Sequence, residues 1–310
     1  MTTTVFIDGA VGTTGLEIAE RLAGRIEFSL VILPEERRKD DAARREALND
    51  SDIVILCLPD DAAKQAVAMI ANDRTKVIDA SSAHRVAPGW TYGFAEMAKG
   101  QRAAIADTRR VTNPGCYPTG FLGFVAPLVA AGLLPADYYY SVNAVSGYSG
   151  GGKALIERFG RESDIGFRAY GLSLNHKHVP EMTVHAGLAH APLFAPSVIR
   201  AFRGMVVEVP LHLGALPGSV KARELRDVLA AHYADEPLVS VHQDALPDEL
   251  LLSEGDAPFD GLKLFVADDG ADQQVRLIAL LDNLGKGASG AAVQNLNIMT
   301  GVPELTGLRL

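Results

Sequence analysis

Seven consecutive residues, Ile53-Val54-Ile55-Leu56-Cys57-Leu58-Pro59, are apolar without a break. A strand with one wet face would carry a polar residue at every second position, so a strand of this composition is buried on both faces. Such strands belong to parallel sheets covered by helices on both sides, and the neighbouring chain agrees. Val5-Phe6-Ile7-Asp8 is a short strand, Gly9 to Gly15 a glycine turn, and residues 16–23 have helical spacing of apolar positions. A second strand, Phe28 to Leu33, stops at Pro34, and the charged stretch 35–49 is predicted to be helical. A helix over 61–71 and a strand at Val77-Ile78-Asp79 complete a β-α-β-α-β-α-β alternation across about the first 112 residues. That order predicts an α/β Rossmann-type, doubly wound parallel sheet.

The pattern changes after Asn113-Pro114-Gly115-Cys116. An apolar helix over 118–132 is followed by alternating segments at 138–145, 205–210, 262–267 and 274–281, with helices at 153–160, 221–232 and 289–299. This reads as an α+β domain with a mostly antiparallel sheet. The expected division is a nucleotide-binding domain over 1–115 and a second domain over 116–288. The chain carries 29 Lys and Arg against 38 Asp and Glu, a net charge of −9. An acidic chain does not suit a nucleic-acid backbone, although a small anion needs only a few well-placed donors. Two cysteines are too few for a disulfide scaffold or a four-cysteine zinc site. The absence of a signal-like N-terminus or a membrane-length apolar run points to a cytoplasmic protein without a membrane partner.

Gly9, Gly12 and Gly15 sit where the first strand meets the first helix. Gly9 permits a tight turn, Gly12 an approach of backbone N–H groups, with those of Thr13 and Thr14, to a pyrophosphate, and Gly15 close helix packing. The spacing also suits an ordinary turn; its place at the first βα junction favours a dinucleotide. After the second strand, Glu35 suits a ribose, whereas Arg37, Arg38 and Lys39 suit a 2′-phosphate, which favours NADP(H); the bland reading of these charges is a solvated helix face. Pro59, at the end of the uniformly apolar strand, is a further candidate for the cofactor cleft, and Cys57 reads as core.

Asn113-Pro114-Gly115-Cys116-Tyr117-Pro118 places Cys116 near a helix N-terminus, because Pro118 suits the first helical turn. The helix dipole favours a thiolate there, so Cys116 reads as a nucleophile rather than an inert core thiol. His176 and His178 offer imidazoles for proton transfer and Glu181 a carboxylate to orient them. If that segment is a strand, both rings share a face and spacing cannot choose between them. His-x-His also suits a metal, but no third ligand is evident, so no metal is expected. His84, His185, His190, His212, His232 and His242 read as surface or core groups. Two segments suit anions or substrate: Asp79 to Arg85, with Ser81 and a phosphate-gripping Arg85, and the glycine-rich loop Ser146 to Lys153, with Ser146 and Ser149. That loop is not a P-loop, since Ala154 follows Lys153; its alternative is a flexible hairpin.

Six segments in this order resemble the N-acetyl-γ-glutamyl-phosphate reductase family in its compact branch: the turn 9–15, D-x-S-x-x-H-R at 79–85, N-P-G-C-Y-P-T at 113–119, S-G-Y-S-G-G-G-K at 146–153, H-x-H-x-P-E at 176–181 and S-G-A-A-V-Q-N-L-N at 289–297. Val11 and Thr13 depart from the longer branch's G-A-[ST]-G-Y-x-G, which leaves the backbone contacts. The resemblance implies NADPH-dependent reduction of N-acetyl-L-glutamyl 5-phosphate to the 5-semialdehyde in arginine biosynthesis, through a thioester on Cys116, with His176 or His178 as proton carrier. It implies a fold similar to glyceraldehyde-3-phosphate and aspartate-semialdehyde dehydrogenases, with residues 289–310 returning to the nucleotide domain and Asn295 and Asn297 near the nicotinamide. It implies substrate contacts that include Asn113, an acyl-phosphate substrate, and a homodimer or homotetramer. The rivals are an aspartate-semialdehyde dehydrogenase and a non-catalytic NADP-sensing protein.

Overall fold

β1 (Thr3–Asp8) and β3 (Ile53–Leu56) lie side by side in the computed structural model, which describes residues 2–244 and 246–310. With β2 (Phe28–Val31), β4 (Lys76–Asp79), β5 (Thr91–Tyr92) and β6 (Arg110–Thr112) they form a six-stranded parallel sheet in the order β2-β1-β3-β4-β6-β5. The unbroken apolar run explains itself here. Ile53 and Ile55 enter one core with Val5, Ile7, Ile18 and Leu22, while Val54 and Leu56 enter the opposite core with Phe6, Leu48 and Ala63. Each fully buried side chain of this kind contributes about 1.5–3 kcal/mol.

The strands are linked by α1 (Thr13–Leu22), α2 (Asp41–Asp50), α3 (Asp60–Met69) and α4 (Gln101–Asp107). The predicted helix over 35–49 is shorter than expected. Residues 35–39 form turns on the Pro34 carbonyl, and α2 starts only after Asp40, whose carboxylate caps it by accepting from the N–H groups of Ala42 (2.8 Å) and Ala43 (3.3 Å). Cys57 also lies beyond the end of β3 rather than inside it.

The second compact unit comprises residues 96–98, 115–287 and 309–310. It contains α5 (Cys116–Ala130), β7 (Ser141–Gly147), α6 (Gly152–Arg161), β8 (Phe167–Ala169), α7 (Val179–His185), β9 (Leu193–Ile199), β10 (Met205–His212), α8 (Ala222–His232), β11 (Val239–Val241), β12 (Leu262–Asp268) and β13 (Gln274–Leu281). Its seven-stranded sheet runs β11-β12-β13-β10-β7-β9-β8. The pairing is mixed, with antiparallel ladders broken by the parallel pairs β7–β9 and β11–β12. α5 is apolar all round and lies close to this sheet because Gly120 and Gly123 leave room; a Cβ on them would come within 2.7 Å of Val207 and 2.8 Å of Leu262. A buried ion pair, Lys286 to Glu96 at 2.7 Å, closes the unit; removing either partner alone costs about 3–5 kcal/mol.

A π-helical turn (Gly285–Ser289) leads into α9 (Gly290–Thr300), which belongs to the first unit. Ala292, Val293, Leu296 and Met299 of α9 pack into the core that Ile53 and Ile55 share. Among the described residues no helix is long and apolar enough to cross a membrane.

Candidate active site

In the first unit, β1 ends at Asp8, whose carboxylate is held by Arg44 of α2 at 2.8 Å, both largely buried. The glycine turn follows, and its three glycines do different work. A Cβ on Gly9 would lie 2.3 Å from the Cys57 carbonyl oxygen, and Gly9 also has a φ of +91°. A Cβ on Gly15 would lie 2.4 Å from the Gly9 oxygen. Both glycines are therefore required by the fold itself. A Cβ on Gly12 would meet only the Gly9 oxygen at 3.5 Å, an ordinary contact, so the chain does not itself demand glycine there. Gly12 N-caps α1 without a side-chain cap, and the first-turn N–H groups of Thr13, Thr14 and Gly15 have no intrahelical acceptors. An anion approaching them needs the space that a side chain at position 12 would occupy.

Beside this turn lies a cleft of about 190 Å³ lined by Gly9, Ala10, Val11, Ile32, Leu33, Arg38, Lys39 and Leu58, among others. Its apolar walls and two cations suit the adenosine end of a dinucleotide. Arg38 lines it while bonded to Glu35 at 2.7 Å; Arg37 does not line it and pairs with Glu46 at 3.5 Å. Pro59 N-caps α3, and its neighbour Leu58 takes the place at the cleft wall.

The turn after β4 is braced from below. The buried Asp79 carboxylate accepts from Ser81 N–H (2.9 Å), Ser81 Oγ (2.8 Å) and His84 Nδ1 (2.6 Å). Arg85 is buried and donates to the carbonyls of Asn113 (3.1 Å) and Ala80 (3.3 Å). Asn113 donates from its N–H to the Asp79 carbonyl at 2.7 Å and from Nδ2 to the Ala288 carbonyl at 2.9 Å. Asn295 donates to the Gly93 carbonyl (3.0 Å) and to Asn113 Oδ1 (3.2 Å), and its own Oδ1 is buried without a hydrogen-bond partner among the described residues. Asn297 receives Arg25 at 3.0 Å and donates to the carbonyls of Glu304 and Thr306, so it anchors the C-terminal turn.

In the second unit, Cys116 is the first residue of α5, N-capped by Gly115. The Gly115 N–H donates to Glu181 Oε1 at 2.7 Å, so the buried carboxylate fixes the entry to the helix. A Cβ on Gly287 would lie 2.7 Å from Cys116 Cβ; the π-helical turn thus packs directly on the nucleophile candidate. Residues 176–178 do not form a strand. They are a turn into α7, with His178 as its N-cap and Pro180 in its first turn, where the missing N–H of proline leaves no helical bond unmade. The His178 N–H donates to His176 Nδ1 at 3.2 Å, and the two rings meet edge to face at 4.7 Å. Tyr117 packs on both imidazoles, donates to the Ser197 carbonyl at 3.1 Å, and receives Tyr170 OH at 3.2 Å. Burial pushes the Tyr170 hydroxyl up to about 12 and the Tyr117 hydroxyl higher still, so both stay neutral.

Ser146 is buried at the end of β7, and Ser149 receives Asn283 Nδ2 at 2.8 Å. Gly150 lies against both; a Cβ there would be 3.2 Å from Ser146 Oγ and 3.4 Å from Asn283 Nδ2. Tyr117, Tyr170, Asn283 and Gly287 were not singled out in the sequence. Only Tyr117 carried a local signal, as part of the cysteine turn; the others reach the site through contacts over 53 to 171 residues of chain, which spacing does not reveal. Among the described residues no group of three His, Cys, Asp or Glu side chains could hold a metal ion.

Comparison with known proteins gives a consistent picture. The family model of the semialdehyde dehydrogenase NAD-binding domain matches residues 4–107, and that of the semialdehyde dehydrogenase dimerisation domain matches residues 116–283. An N-acetyl-gamma-glutamyl-phosphate reductase of Brucella anthropi is 51% identical over 307 residues, 96% of this chain and 98% of that one. The protein of the same name from Brucella ovis is 52% identical over the same shares. Aspartate semialdehyde dehydrogenase II of Vibrio cholerae has a similar fold, with a TM-score of 0.70 at 15% identity over 97% of this chain and 99% of that chain. So does the aspartate semialdehyde dehydrogenase of Candida albicans solved with NADP, at a TM-score of 0.66 and 12% identity over 97% and 100%.

Proposed function

The chain belongs to the semialdehyde dehydrogenase family, and from that premise we propose that it is an N-acetyl-γ-glutamyl-phosphate reductase. It would reduce N-acetyl-L-glutamyl 5-phosphate with NADPH to the 5-semialdehyde and phosphate, a step of arginine biosynthesis. The observation that carries the reading is the placement of Cys116 at the first residue of α5. There a thiolate gains from the helix dipole, and the positive end of that dipole suits an oxyanion on the attacked carbonyl.

The Cys116 thiolate attacks the acyl carbon and phosphate leaves, forming a thioester on the sulfur. When bound, NADPH supplies the hydride that reduces that carbonyl. His176 is the proton carrier, because the His178 N–H holds Nδ1 and leaves the ring's exchangeable proton at Nε2. His178 walls that ring, and Glu181 holds the helix entry. Gly12 and the first turn of α1 would hold the pyrophosphate, and Arg38 and Lys39 the 2′-phosphate. Glu35 is bonded to Arg38 instead of being presented to a ribose, which favours NADP over NAD. Ser81, Arg85 and Asn113 serve the phosphoryl group, and Ser146 and Ser149 the remainder of the substrate. The orphaned Asn295 Oδ1 suits a donor from the cofactor's carboxamide. The enzyme would work in the cytoplasm as a homodimer or homotetramer assembled through the domain that matches a dimerisation model.

The test runs in the oxidising direction with NADP⁺ and phosphate, offering N-acetyl-L-glutamate 5-semialdehyde or L-aspartate 4-semialdehyde. The N-acetylated substrate is expected to have the higher kcat/KM by at least about 100-fold. Preference for aspartate semialdehyde would overturn the substrate assignment.

A further inference from the structure

The expulsion of phosphate poses a chemical problem that neither Cys116 nor His176 solves. Thiolate attack on a doubly charged acyl phosphate breaks the carbon–oxygen bond and sends its electron pair to the bridging oxygen. Without a proton the product is the phosphate trianion, a very basic leaving group, so the step calls for an acid beside that oxygen.

The turn after β4 contains one. Asp79 is fully buried, and its Oδ2 takes His84 Nδ1 at 2.6 Å. The imidazole stacks on Trp90 with ring centroids 4.2 Å apart and 15° between planes. With Nδ1 committed to the carboxylate and the ring held by the indole, the remaining nitrogen is Nε2, and the side chain keeps 12% exposure. The site lies at the C-terminal end of a parallel strand, where open α/β sheets bind ligands. It is tied to the segment that carries the nucleophile: the Asp79 carbonyl takes the Asn113 N–H at 2.7 Å, Arg85 donates to the Asn113 carbonyl, and Cys116 follows three residues on. Arg85 braces the main chain and supplies positive charge; only His84 in this turn can also supply a proton.

We propose that His84 is the acid of phosphate expulsion, contacting the phosphoryl group through Nε2 and protonating the departing oxygen. This rests on the acyl-phosphate reading above and goes beyond it. The sulfur–carbon bond forms from the thiolate pair and the carbon–oxygen bond breaks. The bridging oxygen takes the Nε2 proton of protonated His84, giving hydrogen phosphate and a neutral ring that keeps its proton on Nδ1, where it still donates to Asp79 Oδ2. Nothing is oxidised or reduced in the step, and the proton is replaced from water. In reverse, neutral His84 takes the proton of hydrogen phosphate as it attacks the thioester.

The experiment uses the full-length enzyme with N-acetyl-L-glutamate 5-semialdehyde and saturating NADP⁺. Wild type is expected to give a burst of about one NADPH per active site without phosphate, and sustained turnover when inorganic phosphate is added. His84→Gln should keep the burst, because thioester formation from the aldehyde needs no phosphate, and lose about 100-fold in phosphate-dependent turnover. His84→Gln with wild-type phosphate turnover overturns the role of His84; a wild type with neither burst nor phosphate dependence overturns the acyl-phosphate reading itself. A second measurement does not depend on the variant. Trp90 is the only tryptophan, so phosphate added to the wild-type enzyme at constant NADP⁺ should change its emission saturably. A flat titration likewise overturns the contact.

Discussion

Cys57 and Cys116 are the same residue in two opposite settings. Cys57 follows the end of β3, where desolvation and the carboxylates of Asp79 and Asp8 push its thiol up to about 12. Its backbone is what the fold uses: the N–H donates to the Asp8 carbonyl at 2.8 Å, and its own carbonyl forbids a side chain at position 9. Cys116 opens a helix, with Gly115 anchored on Glu181 and Gly287 packed behind it. One cysteine contributes its main chain, the other its sulfur. Burial, reinforced by carboxylates at a strand end, holds one sulfur as a thiol, while N–H groups at a helix start favour a thiolate on the other.

The contrast breaks most easily on activity. Cys116→Ala should lower phosphate-dependent oxidation of the semialdehyde at least about 1000-fold, while Cys57→Ala stays within about threefold, measured as initial NADPH formation. Comparable losses in the two variants would erase it. Alkylation gives the next largest effect. With iodoacetamide at neutral pH, peptide mass spectrometry should show Cys116 modified at least about 100-fold faster, since a thiol held near 12 offers almost no thiolate there. Similar rates would mean that burial and the two carboxylates beside β3 do not hold the Cys57 thiol up.

The smallest effect is on alkaline stability. Folding raises the Cys57 pKa, so the folded chain keeps a proton that the unfolded chain loses above about 8.5. The contribution is whole below that pH and is lost as pH climbs toward about 12. Between pH 8.5 and 10, wild type should therefore lose about 1–3 °C more in Tm than Cys57→Ala does, by differential scanning calorimetry. Parallel slopes would place the thiol near its ordinary range.

The readable parts of the chain were those in which the cause is local. An unbroken apolar strand must be buried twice, a glycine turn at a strand end must bend sharply, and Pro118 two residues after Cys116 marks a helix start. The unread parts are set by partners far away. β9 contains Pro196, which reads as a poor inner-strand residue; it is tolerated because the antiparallel ladder to β8 stops at Ser197. α2 begins late because Asp40 is a better cap than any residue before it. Arg38 and Arg37 are adjacent and identical in sequence terms, yet only Arg38 lines the cleft. His84 read as one scattered histidine among eight, because its partners Asp79 and Trp90 matter only once the turn closes.

The discontinuous first unit has a consequence for synthesis. Its last strand ends at Thr112, but α9, which supplies Val293 and Leu296 to one of its cores, begins at Gly290. At roughly 5–20 residues per second, a ribosome needs about 10–40 s to make the intervening chain. For that time part of a nascent parallel sheet faces the cell without its final cover, while the second unit's own strands are still emerging. A growing chain of this design passes through a window in which a chaperone can act before its own C-terminus can.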